Sequence, residues 1–498
     1  MAIAHDPQQQ PAPPPGGASP GFCDPASRRW ILTAAILASS MGFIDGSVIA
    51  IALPAIRASL GADLAQATWI NNAYLLPLSA LLLVGGAAGD RFGVARVLMA
   101  GIGLFALASL AVALAPTPGA MIAARAAKGV AAAAMVPGSL AIIARAYPRA
   151  ERGGAIGIWA ASAAVTTAFG PVLGGALLSA GGPEAWRLVF AMNLPLGALA
   201  IWILRRRVGR DAAGAADPLD WPGALLATSA LGLGAWALTA GAAGPPRWAL
   251  ALAGILAFAA FLGREARAAH PMMPLGLFAD RTFAAANLAT FLLYFALSAV
   301  LFYLPQTVIA GWGRPAAEMS LVFVPFSAAM ALLGPVFGRL ADRAGPGPPI
   351  AGGAAVVALA FAGLALTAPV QSFWGAVLPL MSLMGVGMAA VVSPLSAAVM
   401  GAVPDEATGA ASGINNAVSR MAGLVAVAAM GALAARAYAA AGGAGGYGAP
   451  GADPAAMNAA LAAIAWTTAA LAAAASAVAA LGIGRPGSPR PGPGRPGG

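Results

Sequence analysis

The sequence predicts an all-α membrane protein, two six-helix bundles with two further helices inserted between them, and three observations carry that prediction. Sixty per cent of the residues are hydrophobic and 9% charged, with a mean hydropathy of +0.81, far from the composition of a water-soluble domain of this length. Fourteen apolar runs of about 17–27 residues, bounded by Arg, Pro or Gly clusters, are each long enough to cross a hydrocarbon core of about 30 Å as a helix. The stretch "AGDRFG" after the second run returns as "LADRAG" after the tenth. Two related halves therefore stand eight helices apart rather than six, which makes the seventh and eighth helices the insertion.

Residues 1–29 are rich in Pro and Gly and lack a basic start leading into an apolar core. They read as a disordered cytoplasmic tail rather than a signal peptide. Helices are predicted at 30–53, 66–88, 94–115, 119–142, 153–178 and 187–204, an N-terminal bundle over 30–205. Residues 206–281 hold a linker and the inserted pair at 221–241 and 247–263. The C-terminal bundle, 282–481, takes helices at 282–305, 318–340, 349–368, 372–394, 408–434 and 455–481, and 482–498 form a second disordered cytoplasmic tail. With the N-terminus inside, about 14 loop arginines fall on the inner side, Arg91, Arg145, Arg205 and Arg264 among them, against about five outside, including Arg57 and Arg187. That asymmetry sets both termini in the cytoplasm and predicts a multi-pass protein of the inner (plasma) membrane.

Composition also excludes. The net charge of +10 sits in short segments between apolar runs, where orientation and lipid headgroups account for it, so no nucleic-acid partner is expected. A single cysteine, Cys23, and two histidines, His5 in a tail and His270 in a loop, leave metal binding and His-based catalysis without parts. No phosphate loop or nucleophile–base set is present, and neither enzymatic activity nor a cofactor is expected.

Several motifs remain. The first helix carries "IDGSVIAIALP", with Asp45 alone in an apolar run, and the second ends in "GAAGDRFGVAR", with Asp90, Arg91 and Gly93. The fourth carries "RAAKGVAAA", with Arg125 and Lys128, and the fifth "TTAFGPVLGG", with Gly170, Pro171, Gly174 and Gly175. "WRLVFAMNLPLG" opens the sixth and "LDWPG" leads into the insertion. Together they resemble the major facilitator superfamily, and within it the fourteen-helix drug:proton antiporter subgroup. The resemblance covers nearly the whole chain outside the tails and implies a major facilitator fold. It departs at Ser47 for Thr, at Val94 and Ala95 for basic residues, at Lys128 for Gln, and at Thr166 for the first glycine of the antiporter motif.

Each motif carries two readings. Gly170, Pro171, Gly174 and Gly175 either let the fifth helix bend and pack closely, or use that contact to seal the outer end of a cavity. Asp90 and Arg91 either fix topology or, with their counterparts Asp342 and Arg343, form gates in which acids at one helix end cap another helix. Asp45 needs a reason, because a charge there costs at least about 2.5–3.5 kcal/mol. At 1.5 Å per residue, Asp45 lies at the same depth as Arg125 and Lys128, which share a helix face one turn apart. The group is either a proton carrier, its carboxylate balanced between desolvation and nearby cations, or a static buried pair. Arg420, about twelve residues into the thirteenth helix, is either a cavity residue or a partner for exposed carbonyls.

The expected activity is export of small amphipathic compounds by alternating access, driven by inward proton flow through Asp45 and Arg125. Lys128 and Arg420 are expected to line the substrate cavity, and two cations facing Asp45 favour neutral or anionic substrates. The expected partners are a small-molecule substrate, protons and membrane lipid, with the chain acting as a monomer. An importer or facilitator on the same fold, or a non-transporting membrane sensor, is the alternative.

Overall fold

The computed structural model describes residues 22–483 except 183, 210, 212–219, 241–244, 269–270, 272 and 405–406. His5, His270, residues 1–21 of the first tail and residues 484–498 of the second lie outside the described residues. Among the described residues there is no strand. The long helices are α1 (Arg28–Leu60), α2 (Leu64–Phe92), α3 (Val94–Ala113), α4 (Pro118–Ala146) and α5 (Arg149–Gly181), then α6 (Trp186–Arg207), α7 (Trp221–Thr239), α8 (Arg247–Glu265), α9 (Arg281–Gly311) and α10 (Ala316–Ala344). They continue with α11 (Gly347–Val370), α12 (Phe373–Gly401), α13 (Thr408–Ala440) and α14 (Pro454–Gly482). Among the described residues thirteen are long and apolar enough to cross a bilayer, and α2, bent by 55° about residue 83, brings the number to as many as 14.

Local chemistry explains most starts and breaks. Asp63 with Gln66 forms a reciprocal capping box on α2, and Asp280 and Asp453 cap α9 and α14 through the Phe283 and Ala456 N–H groups. Pro195 clashes with the carbonyl four residues back, so α6 divides at Met192. Pro325 divides α10 the same way, between Ser320 and Phe323. Pro54 does not end α1, which runs on from the expected stop at 53 to Leu60 and closes on Gly61 at φ +65°. The reason is tertiary: Ile56 and Arg57 are buried and hold the extra turn against the second half. Order also begins earlier than expected, because Phe22 is buried and its carbonyl accepts the Gly209 N–H at 2.8 Å.

The packing repeats with an offset of eight helices. In the first half α2 packs on α4, α3 on α4, and α1 on α5 and α6, with α3 also on α6. The same pairs recur as α10 with α12, α11 with α12, α9 with α13 and α14, and α11 with α14. Between halves, α2 packs on α13 and α10 on α5, two contacts that exchange under the same operation. The inserted α7 and α8 pack on each other, and α7 lies along the α2–α13 seam. Asp220 anchors the pair, capping the Gly223 N–H at 2.9 Å while accepting Arg264 at 2.8 Å. Burial works against the ionised form of Asp220, but these donors prevail and hold its carboxyl below the usual range.

Candidate functional site

Asp45, Arg125 and Lys128 meet inside the first half, with no side-chain exposure at any of them. Arg125 Nη1 donates to Asp45 Oδ2 at 3.0 Å, and Lys128 Nζ donates to Asp45 Oδ1. Gly129 makes this possible: a Cβ there would lie 2.5 Å from Pro77 Cγ and collide with the Tyr74 carbonyl, so only glycine lets α4 approach α2 closely enough. Arg125 Nε then reaches the Ile70 carbonyl, and its guanidinium lies 5.0 Å from the centre of the Tyr74 ring. The Lys128 ammonium is flanked by the Phe105 and Phe190 rings at 4.5 and 4.9 Å.

Beside this trio lies a cavity of about 300 Å³ between the halves. Its wall comes from α1, α2, α4 and α5 on one side and α9, α10 and α13 on the other, and is largely aromatic and aliphatic, with Phe43, Trp159, Phe302 and Phe326. Among the described residues, Arg125 and Arg420 are the only charged ones in its lining. Lys128, expected on this wall, is not part of it. It points behind α4 into the aromatic cleft formed by α3 and α6, a direction that helix phase alone does not reveal.

One end of the cavity is closed. Arg57, expected in an outer loop, is 3% exposed and donates from Nη1 to Gln306 Oε1 and to the Tyr447 carbonyl, both at 2.8 Å. Tyr447, whose phenol burial pushes well above its ordinary pKa, has its hydroxyl 2.8 Å from Thr307 Oγ1 and 3.0 Å from the Tyr303 carbonyl. Asn72 donates across the halves to the Leu424 carbonyl at 3.2 Å, and Ser179 Oγ accepts the Ala317 N–H at 3.1 Å. A buried cluster containing Ile56, Trp186, Tyr303 and Tyr438 fills the same end from both halves.

The four α5 residues divide between two tasks. Gly170 and Gly174 face α1, where a Cβ would meet Ile44 and Ser47 at 3.1 Å or collide with Val48. Gly175 faces the other half, its hypothetical Cβ 2.7 Å from the Ala316 carbonyl and 2.8 Å from Ser320 Oγ. Pro171 lies inside the helix between them. Thr166, where the family motif has glycine, sits 3.1 Å from Ser40 Oγ, adding a polar tie to the same α1–α5 contact.

At the opposite end, Asp90 lies 3.7 Å from Arg145 and is 67% exposed. The acid that caps α3 is not Asp90 but Asp211, which sequence reasoning missed: it is 7% exposed, accepts the Arg96 N–H at 2.9 Å and lies 3.7 Å from Arg145. Gly93 admits it, because at φ +100° its Cα has no side chain to block the Asp211 carboxylate. Gly345, in the repeated stretch, also has a positive φ, +84°. Arg91, Asp342 and Arg343 are exposed, and Asp342 and Arg343 make no ion pair among the described residues. In "WRLVFAMNLPLG", Arg187 donates to the Ala113 and Ala115 carbonyls at 2.9 and 3.0 Å, which satisfies the end of α3.

Three comparisons bear on this arrangement. The chain is 32% identical over 404 residues to the Multidrug resistance protein Stp of Mycobacterium tuberculosis, covering 78% of this chain and 73% of the relative. It is 31% identical over 412 residues to the Tetracenomycin C resistance and export protein of Streptomyces glaucescens, covering 80% and 75%. The crystal structure of a bacterial homolog to the human lysosomal transporter Spinster, in an inward-facing and unoccupied conformation, superposes with a TM-score of 0.66 at 18% identity, over 92% of this chain and 97% of that one, and so shares the fold. The Major Facilitator Superfamily model matches residues 35–427. With that match over most of its length, and with a packing pattern that repeats across two halves around a central cavity, the chain belongs to the Major Facilitator Superfamily and is a multi-pass membrane transporter.

Proposed function

We propose that this transporter exports small amphipathic compounds by alternating access, coupled to inward proton flow, as a monomer in the plasma membrane with both termini cytoplasmic. The observation that carries the reading is Asp45, a fully buried carboxylate midway along α1, held by two cations of which Arg125 also forms the cavity wall. The names of the two relatives concern resistance and export, and the end closed by Arg57 is then the outer one. In this conformer the cavity takes substrate from the cytoplasm. After the switch, a proton arriving from outside neutralises Asp45, loosens Arg125 and favours release; deprotonation on the inner side restores the pair. Reconstitution in liposomes with an imposed pH gradient, screening dyes, antibiotics and metabolites of each charge class for counterflow, tests the proposal. Accumulation down the proton gradient, or no flux for any class, would sink it.

The loop at the inner end is the proposed gate. Asp90→Ala removes an ion pair that is two-thirds exposed on its acidic side and worth at most about 1 kcal/mol, so the melting temperature should hold while turnover falls and equilibrium affinity stays. Asp211→Ala strips the Arg96 N–H of its acceptor and should cost about 1–3 kcal/mol, seen as a lower melting temperature. If Asp90→Ala weakened binding while saturated turnover held, Asp90 would not act as a gate.

A further inference from the structure

We infer that the central cavity recognises an anionic head group, a carboxylate or phenolate on an apolar body, through Arg420, with Arg125 on the facing wall. The inference names the substrate class of the proposed exporter and rests on that cavity being the transport site. Arg420 lies inside the membrane-spanning α13 and reaches the cavity wall. Among the described residues it has no hydrogen-bond or ion-pair partner. Arg125 spends Nη1 on Asp45 and Nε on the Ile70 carbonyl, but its Nη2 is buried without a protein partner. The Tyr74 ring, 5.0 Å from the Arg125 guanidinium, and Asn71 also line the cavity. Among the described residues no carboxylate lines the cavity, and Asp45, which lies beside it, is already shared between two cations. The wall therefore presents one guanidinium, that of Arg420, with no anionic partner of its own, set among aromatic rings. Guanidinium groups pair with carboxylates in bidentate geometry, and a cationic ligand would meet uncompensated repulsion.

Equilibrium binding to the purified full chain, with 2-naphthoate, its methyl ester and 2-naphthylmethylammonium as probes, tests the inference. The carboxylate should bind at least about tenfold more tightly than either of the others. Arg420→Gln should erase that preference, and Arg420→Lys should keep most of it; both should melt at or above the wild-type temperature, since an unpaired charge has been removed or retained. Equal affinities, tighter binding of the ammonium, no binding of any probe, or a preference that survives Arg420→Gln would each overturn the assignment. Naphthoate that binds through Arg420 but shows no gradient-driven flux in proteoliposomes would sink the exporter reading and leave the anion subsite standing.

Discussion

Asp45→Asn is expected to abolish transport driven by a pH gradient, down to the level of liposomes without protein. The amide keeps the size and much of the hydrogen bonding of the carboxylate but carries no exchangeable proton. The same change leaves Arg125 and Lys128, neither of them exposed, against a neutral group, and breaking a buried pair in this way costs about 3–5 kcal/mol. The informative variant is therefore Asp45→Asn combined with Lys128→Gln. It removes one negative and one positive charge together, so one buried cation rather than two is left without a carboxylate, and the loss of melting temperature should be smaller than for Asp45→Asn alone. A proton carrier predicts that this double variant still exchanges substrate for substrate and ignores the pH gradient. A static pair predicts that it responds to the gradient as before, and that result would end the carrier assignment. The geometry sharpens the question, because all three side chains belong to one half. Relative movement of the halves alone does not separate them, and a proton must enter through a local change in α1 or α4.

Residue spacing revealed the meeting of Asp45, Arg125 and Lys128, because helix rise converts sequence position into depth and the three charges were too costly to leave apart. It did not reveal which way Lys128 turns. Its cleft is built by Phe105 of α3 and Phe190 of α6, and each of these looks like any other core aromatic until the helices are packed. Arg57 was hidden for a different reason. Counting arginines by loop placed it outside after Pro54, yet its acceptors, Gln306 and the Tyr447 carbonyl, lie far along the chain, and no local pattern joins them. The absence of a glycine between Pro54 and Gly61 was the available signal that α1 continues. Asp211 left a similar trace as a lone acid following the Arg205–Arg207 run. The repeat was legible throughout, because two copies of one short loop fix an offset that the packing then reproduces in five helix pairs.

Gly175→Val is expected to hold the transporter open at the Arg57 end and stop its cycle. In the closed arrangement a single Cβ at this position lies 2.7 Å from the Ala316 carbonyl and 2.8 Å from Ser320 Oγ, both in the opposite half. Real side chains do not tolerate such distances, and the carbonyl is backbone that cannot turn aside. Overpacking of this kind costs about 1–3 kcal/mol. Because the strain exists only when the halves are closed here, it shifts the ratio of open to closed on the order of ten- to a hundredfold rather than unfolding either half. Gly174 supplies the control, since its neighbour Val48 belongs to the same half, and strain at Gly174 persists in every conformer. With the native Cys23 replaced by Ser and a cysteine placed at Ser320, which faces Gly175 across the closed contact and is 1% exposed there, a membrane-impermeant maleimide should label the Gly175→Val protein faster than its parent. Gly174→Val should lower the melting temperature without changing the labelling rate. If the two variants behave alike, both less stable and neither more accessible, the antiporter-motif glycines serve packing alone and the seal at this end lies elsewhere.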